Sequence, residues 1–185
     1  YTEHNQWAET TGQVSNTHTV DLEKGTYYLL VKGSYWRSDK SSYTGNYNFN
    51  IKFTASGANV AEPNNSIAEA KDISFDNTIK GQLAKNDGED YYKISLPSSG
   101  RIAIKFNSFI EYYSLILYDW DGQEIWYTEY NRWAETTGSI SNSHVLDLEK
   151  GTYYLWVKGS RWHGDKSSYT GNYNFNIKFT ASGAN

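Results

Sequence analysis

Trp133 is flanked by Arg132 and, two residues on, Glu135; Trp162 sits between Arg161 and His163, with Asp165, Lys166 and Tyr169 close behind. Flat aromatic faces beside charged and hydrogen-bonding side chains suit a sugar ring, whose axial C–H groups stack on the ring while its hydroxyls find donors and acceptors. Trp133, Trp162, Tyr169, Arg161, His163 and Asp165 are therefore the candidate ligand-binding residues. Trp and Tyr are equally good protein-binding anchors. They can also pin a long loop onto a sandwich, as the recurrence of Trp7 and Trp133 before AETTG, and of Trp36 and Trp162 ahead of DKSSYTGNY, would allow. Catalysis finds little support. There is no G-x-S-x-G elbow and no H-E-x-x-H pair, and His18 and His144 read as surface or strand-edge imidazoles.

The elements that must carry these residues are strands. Short alternating runs rich in Val, Ile, Tyr, Phe and Thr, bounded by Gly, Asn, Asp and Ser, occur near 78–84, 90–96, 101–107, 112–118, 123–130, 144–149, 152–159 and 171–180. In Tyr173-Asn174-Phe175-Asn176-Ile177-Lys178-Phe179 every odd residue but no even one is apolar, so one face meets a core and the other water. Helical signal is confined to a single turn at 65–70. Pro97–Gly100, Asp119–Gly122 and Glu149–Gly151 end in glycines placed where a positive φ is cheap. Eight strands at this spacing predict an all-β fold, an antiparallel, jelly-roll-like β-sandwich. If each connection reverses direction, the loops 85–90, 108–111, 131–143 and 160–170 share one end of it.

The chain also repeats itself. Residues 1–59 and 127–185 match at a constant offset of 126, with 48 of 59 positions identical, and a different segment, 60–126, lies between them. Self-similarity at a fixed period decides the domain organisation. We read 60–185 as one complete domain and 1–59 as the C-terminal half of a near-identical copy. That half carries three strand patterns with an apolar face and open edges, which invite pairing with another chain. Completion is expected either by a second molecule, which would be self-association, or by 60–126.

A net charge of −4 with no long basic run argues against a nucleic-acid partner. No stretch approaches the ~18 apolar residues of a membrane-spanning helix. With no cysteine, disulfides, thiol catalysis and Cys-based zinc sites are all excluded.

Glu62-Pro63-Asn64-Asn65-Ser66, Gly81-Gln82-Leu83, Asn86 to Tyr92, Gly151 to Leu155 and Gly171-Asn172-Tyr173, in that order, resemble the bacterial pre-peptidase C-terminal domain family, which includes the collagen-binding domains of clostridial collagenases. The resemblance spans nearly all of 60–185. It implies a calcium-responsive, non-catalytic β-sandwich on a protein that is secreted or held at the bacterial cell surface. It further implies calcium ligands at Glu62, Asn64, Asn65, Asp87 and Asp90, a chemically sound set for a cation that takes six to eight hard oxygens. Val60 stands where the family has its first Glu and Asn65 where it has its final Asp, so two carboxylates are missing. Collagen-binding members use aromatics on the strand matching 152–160. Here the outward positions read as Lys158 and Ser160, with Trp156 between strand and core.

The expected function is a non-catalytic extracellular module that attaches its parent to a polysaccharide through loop aromatics. The alternatives are a structural stalk or assembly repeat, and adhesion to a matrix protein such as collagen.

Overall fold

The computed structural model describes residues 15–32, 45–131, 139–160 and 169–183. Nine strands form two sheets: β1 (Lys71–Asp72), β2 (Ile79–Leu83), β3 (Glu89–Leu96), β4 (Gly100–Ser108), β5 (Tyr112–Tyr118), β6 (Glu124–Asn131), β7 (Ile140–Leu148), β8 (Gly151–Gly159) and β9 (Gly171–Ala181). The five-stranded sheet runs β1-β3-β8-β5-β6 and the four-stranded sheet β2-β9-β4-β7. From β2 to β9 every connection crosses between the sheets except the β5–β6 hairpin. This is jelly-roll connectivity, and the two sheets face each other as an antiparallel-dominated sandwich.

Alternation explains the packing. β3 buries Asp90, Tyr92, Ile94 and Leu96, β4 buries Ile102, Ile104 and Phe106, and β9 buries Tyr173, Phe175 and Ile177. Phe106 lies at the centre of the core, its ring 5.0 Å from Tyr113, 5.3 Å from Tyr173 and 6.1 Å from Phe175. Removing that much buried aromatic surface costs about 3–5 kcal/mol in a typical core. β5 is buried on both faces over most of its length, and β7 is an edge strand.

Two details depart from expectation. β1 has no sequence signal; it pairs parallel to β3, Lys71 opposite Tyr92 and Asp72 opposite Lys93. Of the three turn glycines, only Gly122 has a positive φ, at 78°, with the Asp119 carboxylate accepting from Asp121 N and Gln123 N. Gly100 is required for another reason, since a Cβ there would collide with the Thr180 carbonyl of β9. The turn expected at 65–70 is a 3-10 turn, Ile67–Glu69.

Among the described residues of the first copy, 15–32 and 45–59, there is no strand. Leu29, Phe49 and Ile51 are 64%, 61% and 73% exposed there, whereas their counterparts Leu155, Phe175 and Ile177 are at most 1% exposed. The same side chains lie bare in one copy and in the other form the core, packed against strands of 60–126. One local feature is common to both: the Tyr27 hydroxyl donates to Glu23 O, as Tyr153 does to Glu149 O.

Candidate functional site

Backbone bonds gather the described loop ends at one end of the sandwich. Gly159 N donates to Gly88 O, Phe109 N to Asn172 O and Ser160 N to Tyr112 O. At this end the β2–β3 turn closes through Ala84 N to Asp87 O and Asp87 N to Ala84 O, setting Asp87 just ahead of β3. Asp90 follows on the inward face of β3 at 0% exposure. Asn64 is tied down from the other side, its N–H donating to Glu62 Oε2 at 3.1 Å and its carbonyl accepting from Tyr91 N at 2.7 Å.

The structure thus brings together Glu62, Asp87 and Asp90, each with a carboxylate oxygen within 4.8 Å of the others. The Asn64 amide lies against the Glu62 and Asp90 carboxylates. In one orientation its NH2 donates to both. In the other its oxygen faces them, the arrangement oxygen ligands adopt around a cation. Tyr173 donates its hydroxyl to Asp90, and the Tyr92 and Tyr173 hydroxyls are themselves hydrogen-bonded.

Asp87 Oδ1, a buried oxygen of the cluster, has no hydrogen-bond partner among the described residues; neither has Oδ1 of Asn65, which no contact ties to the cluster. Burial, then the charge of Glu62, pushes the Asp87 carboxyl up to about 7. Burial likewise raises Asp90 to about 8, with Glu62 and Asp87 adding to it and the Tyr173 hydrogen bond opposing it. Glu62 is raised by burial, against its bond from Asn64 N. Crowded, desolvated carboxylates with an orphaned oxygen fit a divalent cation, which would neutralise them and take up the unused lone pairs. Val60 packs half-buried against the core and offers no ligand.

Trp133, Arg161, Trp162, His163 and Asp165 lie outside the described residues. Tyr169 is described, and at 3% exposure it is buried beside Gly159 rather than presenting an open ring face.

A second surface was not legible as such. On the outer face of the five-stranded sheet, register aligns Tyr91, Trp156, Ile116 and Tyr127 in one transverse row. The next row is Glu89, Lys158, Ser114 and Glu129. Trp156 therefore does not sit between strand and core as expected. It stands outward, ring-stacked with Tyr91, and the Lys158 ammonium lies 4.4 Å over its ring. Its Nε1 has no hydrogen-bond partner among the described residues. Tyr127 donates to Glu129 Oε2 and Ser160 to Glu129 Oε1, which fixes the polar row. A depression of about 840 Å³ follows the polar row and the Ile116–Tyr127 end of the apolar one, lined by Glu89, Ser114, Ile116, Tyr127, Glu129 and Lys158 and reaching the 85–88 loop, while Tyr91 and Trp156 do not line it. The parity of TYYLWVKG, with Tyr153, Leu155 and Val157 inward, is the signal that would have placed Trp156 outside.

No family model and no curated protein matches the chain. Among solved structures it is similar to the pre-peptidase C-terminal domain of a collagenase from Bacillus anthracis, 22% identical, over 64% of this chain and 100% of that one, with a TM-score of 0.43. It is also similar to TmCBM61 in complex with beta-1,4-galactotriose, 15% identical, over 57% of this chain and 70% of that one, at a TM-score of 0.32. A third is the carbohydrate-binding module CBM6cm-2 from Cellvibrio mixtus lichenase 5A in complex with cellotriose, 15% identical, over 60% and 91% of the two chains, at 0.32. No described helix is long and apolar enough to cross a membrane.

Proposed function

We propose that the chain is a non-catalytic, calcium-stabilised module that attaches its extracellular parent protein to a polysaccharide. The observation that supports this best is the pair of rows on the outer sheet face. An apolar row, Tyr91–Trp156–Ile116–Tyr127, lies beside a polar one, Glu89–Lys158–Ser114–Glu129. Four adjacent strands span about 15 Å at the usual strand spacing, an extended strip rather than a small-molecule pocket. Sugar rings stack on the first row and their hydroxyls meet the second. The loop aromatics expected from sequence follow directly on this sheet's strands: Trp133 comes just after β6, and Arg161, Trp162, His163 and Asp165 just after β8. We assign them to the same ligand.

Glu62, Asp87 and Asp90, with the side-chain oxygens of Asn64 and Asn65, would hold the calcium. When bound, it supplies the positive charge this cluster lacks. The chain's own part is to fasten the segment before β1 to the β2–β3 turn.

Retention of residues 1–185 on insoluble polysaccharides and on collagen, with calcium and with chelator, tests the proposal. Retention on a polysaccharide that Trp156→Ala abolishes is expected. Retention on collagen alone would instead establish matrix-protein adhesion, and retention on neither would favour a stalk or assembly repeat.

A further inference from the structure

Residues 21–29 and 147–155 are identical, Asp-Leu-Glu-Lys-Gly-Thr-Tyr-Tyr-Leu in both. In the second copy this stretch forms the β7–β8 corner, with Leu148 packed against the core and Asp147 and Glu149 exposed. In the first copy the same two acidic positions are covered. Across 15–32 only Asp21 and Glu23 are half-buried, and every other residue is exposed. Their cover comes from the sandwich. Lys85 N donates to Asp21 O at 3.1 Å, and the Asp21 carboxylate accepts from Thr170 Oγ1 at 3.1 Å and Gln82 Nε2 at 3.5 Å. Glu23 N donates to Asn86 Oδ1 at 3.4 Å, and the Asn86 amide donates to Glu23 Oε2 at 3.5 Å and Tyr27 Oη at 3.3 Å.

The receiving surface and the second corner lie at opposite ends of the fold. β3 and β8 pair with Glu89 opposite Lys158 and Leu96 opposite Gly151. The length of that ladder, about 25 Å at the usual rise per residue, separates the 82–86 segment from the 149–151 corner. Lys150 N donates to Ser99 Oγ, which fixes the corner to the β3–β4 turn at the far end. One sandwich thus carries Gln82, Lys85, Asn86 and Thr170 at one end and a second example of the docked sequence at the other. Asp147 already pairs with Arg101 through both carboxylate oxygens. An ionised carboxylate offers about four acceptor positions, so Asp147 can still accept from an incoming glutamine and threonine as Asp21 does. Beside it an open depression of about 500 Å³, lined by Ser99, Arg101, Asp147, Glu149 and Ser182 among others, leaves room for an incoming turn.

We infer that the Asp21–Tyr27 corner is a docking element between copies: it seats on the Gln82–Asn86 and Thr170 end of the following sandwich, and the 147–153 corner seats in the same way on a further copy. The second corner keeps the internal bond of the first, Tyr153 Oη to Glu149 O matching Tyr27 Oη to Glu23 O. The contact joins two different surfaces of one repeat, the heterologous kind of interface that extends into an open array unless its rotation closes a ring. Because the two surfaces sit at opposite ends of the strands, copies joined this way stand end to end. The joint holds whether or not the outer sheet face binds polysaccharide.

Disulfide trapping in the 185-residue chain tests the joint, since the chain has no cysteine of its own. Glu23→Cys with Asn86→Cys should close an intrachain bridge at least about tenfold faster than Glu23→Cys with Asp121→Cys, because a disulfide needs its two Cα atoms within about 7 Å. For the further copy, Asp21→Ala and Glu23→Ala vacate the receiving end. In that background Glu149→Cys with Asn86→Cys should give a ladder of interchain dimers, trimers and larger species, which Lys105→Cys with Asn86→Cys should not. Asp21→Cys with Lys85→Cys reads the same contact should the melting temperature of the reduced chain show that Asn86→Cys impairs folding. Equal rates for the two intrachain pairs would overturn the joint. A fast intrachain bridge without a ladder would overturn its extension to a further copy and confine the contact to residues 21–27.

Discussion

Tyr91 of β3 and Trp156 of β8 are stacked on the outer face of the five-stranded sheet, ring centroids 5.2 Å apart and planes 13° from parallel. The pair is half-buried, with the Lys158 ammonium lying over the Trp156 ring. The first copy has Leu30 where the second has Trp156. Trp156→Leu should therefore cost only about 1–2 kcal/mol in urea unfolding, the loss of one partly exposed aromatic pair, while abolishing polysaccharide retention. A loss of 3–5 kcal/mol, as for a fully buried ring, would mean that Trp156 is a structural plug.

Calcium should stabilise through Asp90. At about 100 times its dissociation constant a ligand of the native state adds about 2.7 kcal/mol, so the melting temperature should rise by several degrees. Asp90→Asn should remove that rise. Differential scanning calorimetry with calcium and with chelator reads both.

Tyr173→Phe isolates the hydrogen bond beneath the site. It leaves a buried Asp90 oxygen and the Tyr92 hydroxyl without their partner. A cost of about 1–3 kcal/mol is expected, larger in chelator, where the Asn64 amide alone is left to compensate Asp90. Denaturant midpoints of the two proteins give the difference directly.

His144 lies in β7 against Trp126 and Tyr130, ring centroids 4.8 and 6.4 Å away, with Nε2 unpartnered. Burial lowers its pKa below the ordinary 6.5. The unfolded chain takes up the proton first, so the contribution of the neutral ring is present above about pH 6.5 and is lost as pH falls toward the folded value. The wild-type minus His144→Gln difference in unfolding midpoint should fall between about pH 7.5 and 5.5, against the opposite trend from Asp87 and Asp90, whose raised carboxyls gain stability as pH falls.

Leu29, Phe49 and Ile51 expose side chains that form the core in the second copy. Residues 1–185 should accordingly self-associate with rising concentration in sedimentation velocity, and residues 60–185 should remain monomeric. Identical behaviour of the two would show that the first copy is covered in another way.

Much of the sandwich was legible because strand alternation is local. The period in 173–179 and the turns at 97–100, 119–122 and 149–151 suffice to place eight strands. β1 was not legible, since two residues pairing parallel to β3 leave no periodicity. Gly100 was misread as a conformational glycine because its real constraint, the Thr180 carbonyl, comes from another strand. The acidic cluster was visible only through motif resemblance: nothing in the spacing of Glu62, Asp87 and Asp90 says that a cis-acting fold brings them within 4.8 Å. The transverse row Tyr91–Trp156–Ile116–Tyr127 depends on register across four strands, which one-dimensional patterning does not contain. Tyr169 looked like a loop platform because its polar neighbours hide the contact with Gly159 that buries it.

The most direct test of the polysaccharide assignment is a chemical-shift map of residues 60–185 titrated with a soluble oligosaccharide of whichever polysaccharide retains the chain. Perturbations should centre on Tyr91, Trp156, Ile116 and Tyr127, with Glu89, Lys158 and Glu129 at their border. A map that leaves this face unchanged, or the absence of any retained polysaccharide from which to choose a ligand, would contradict it.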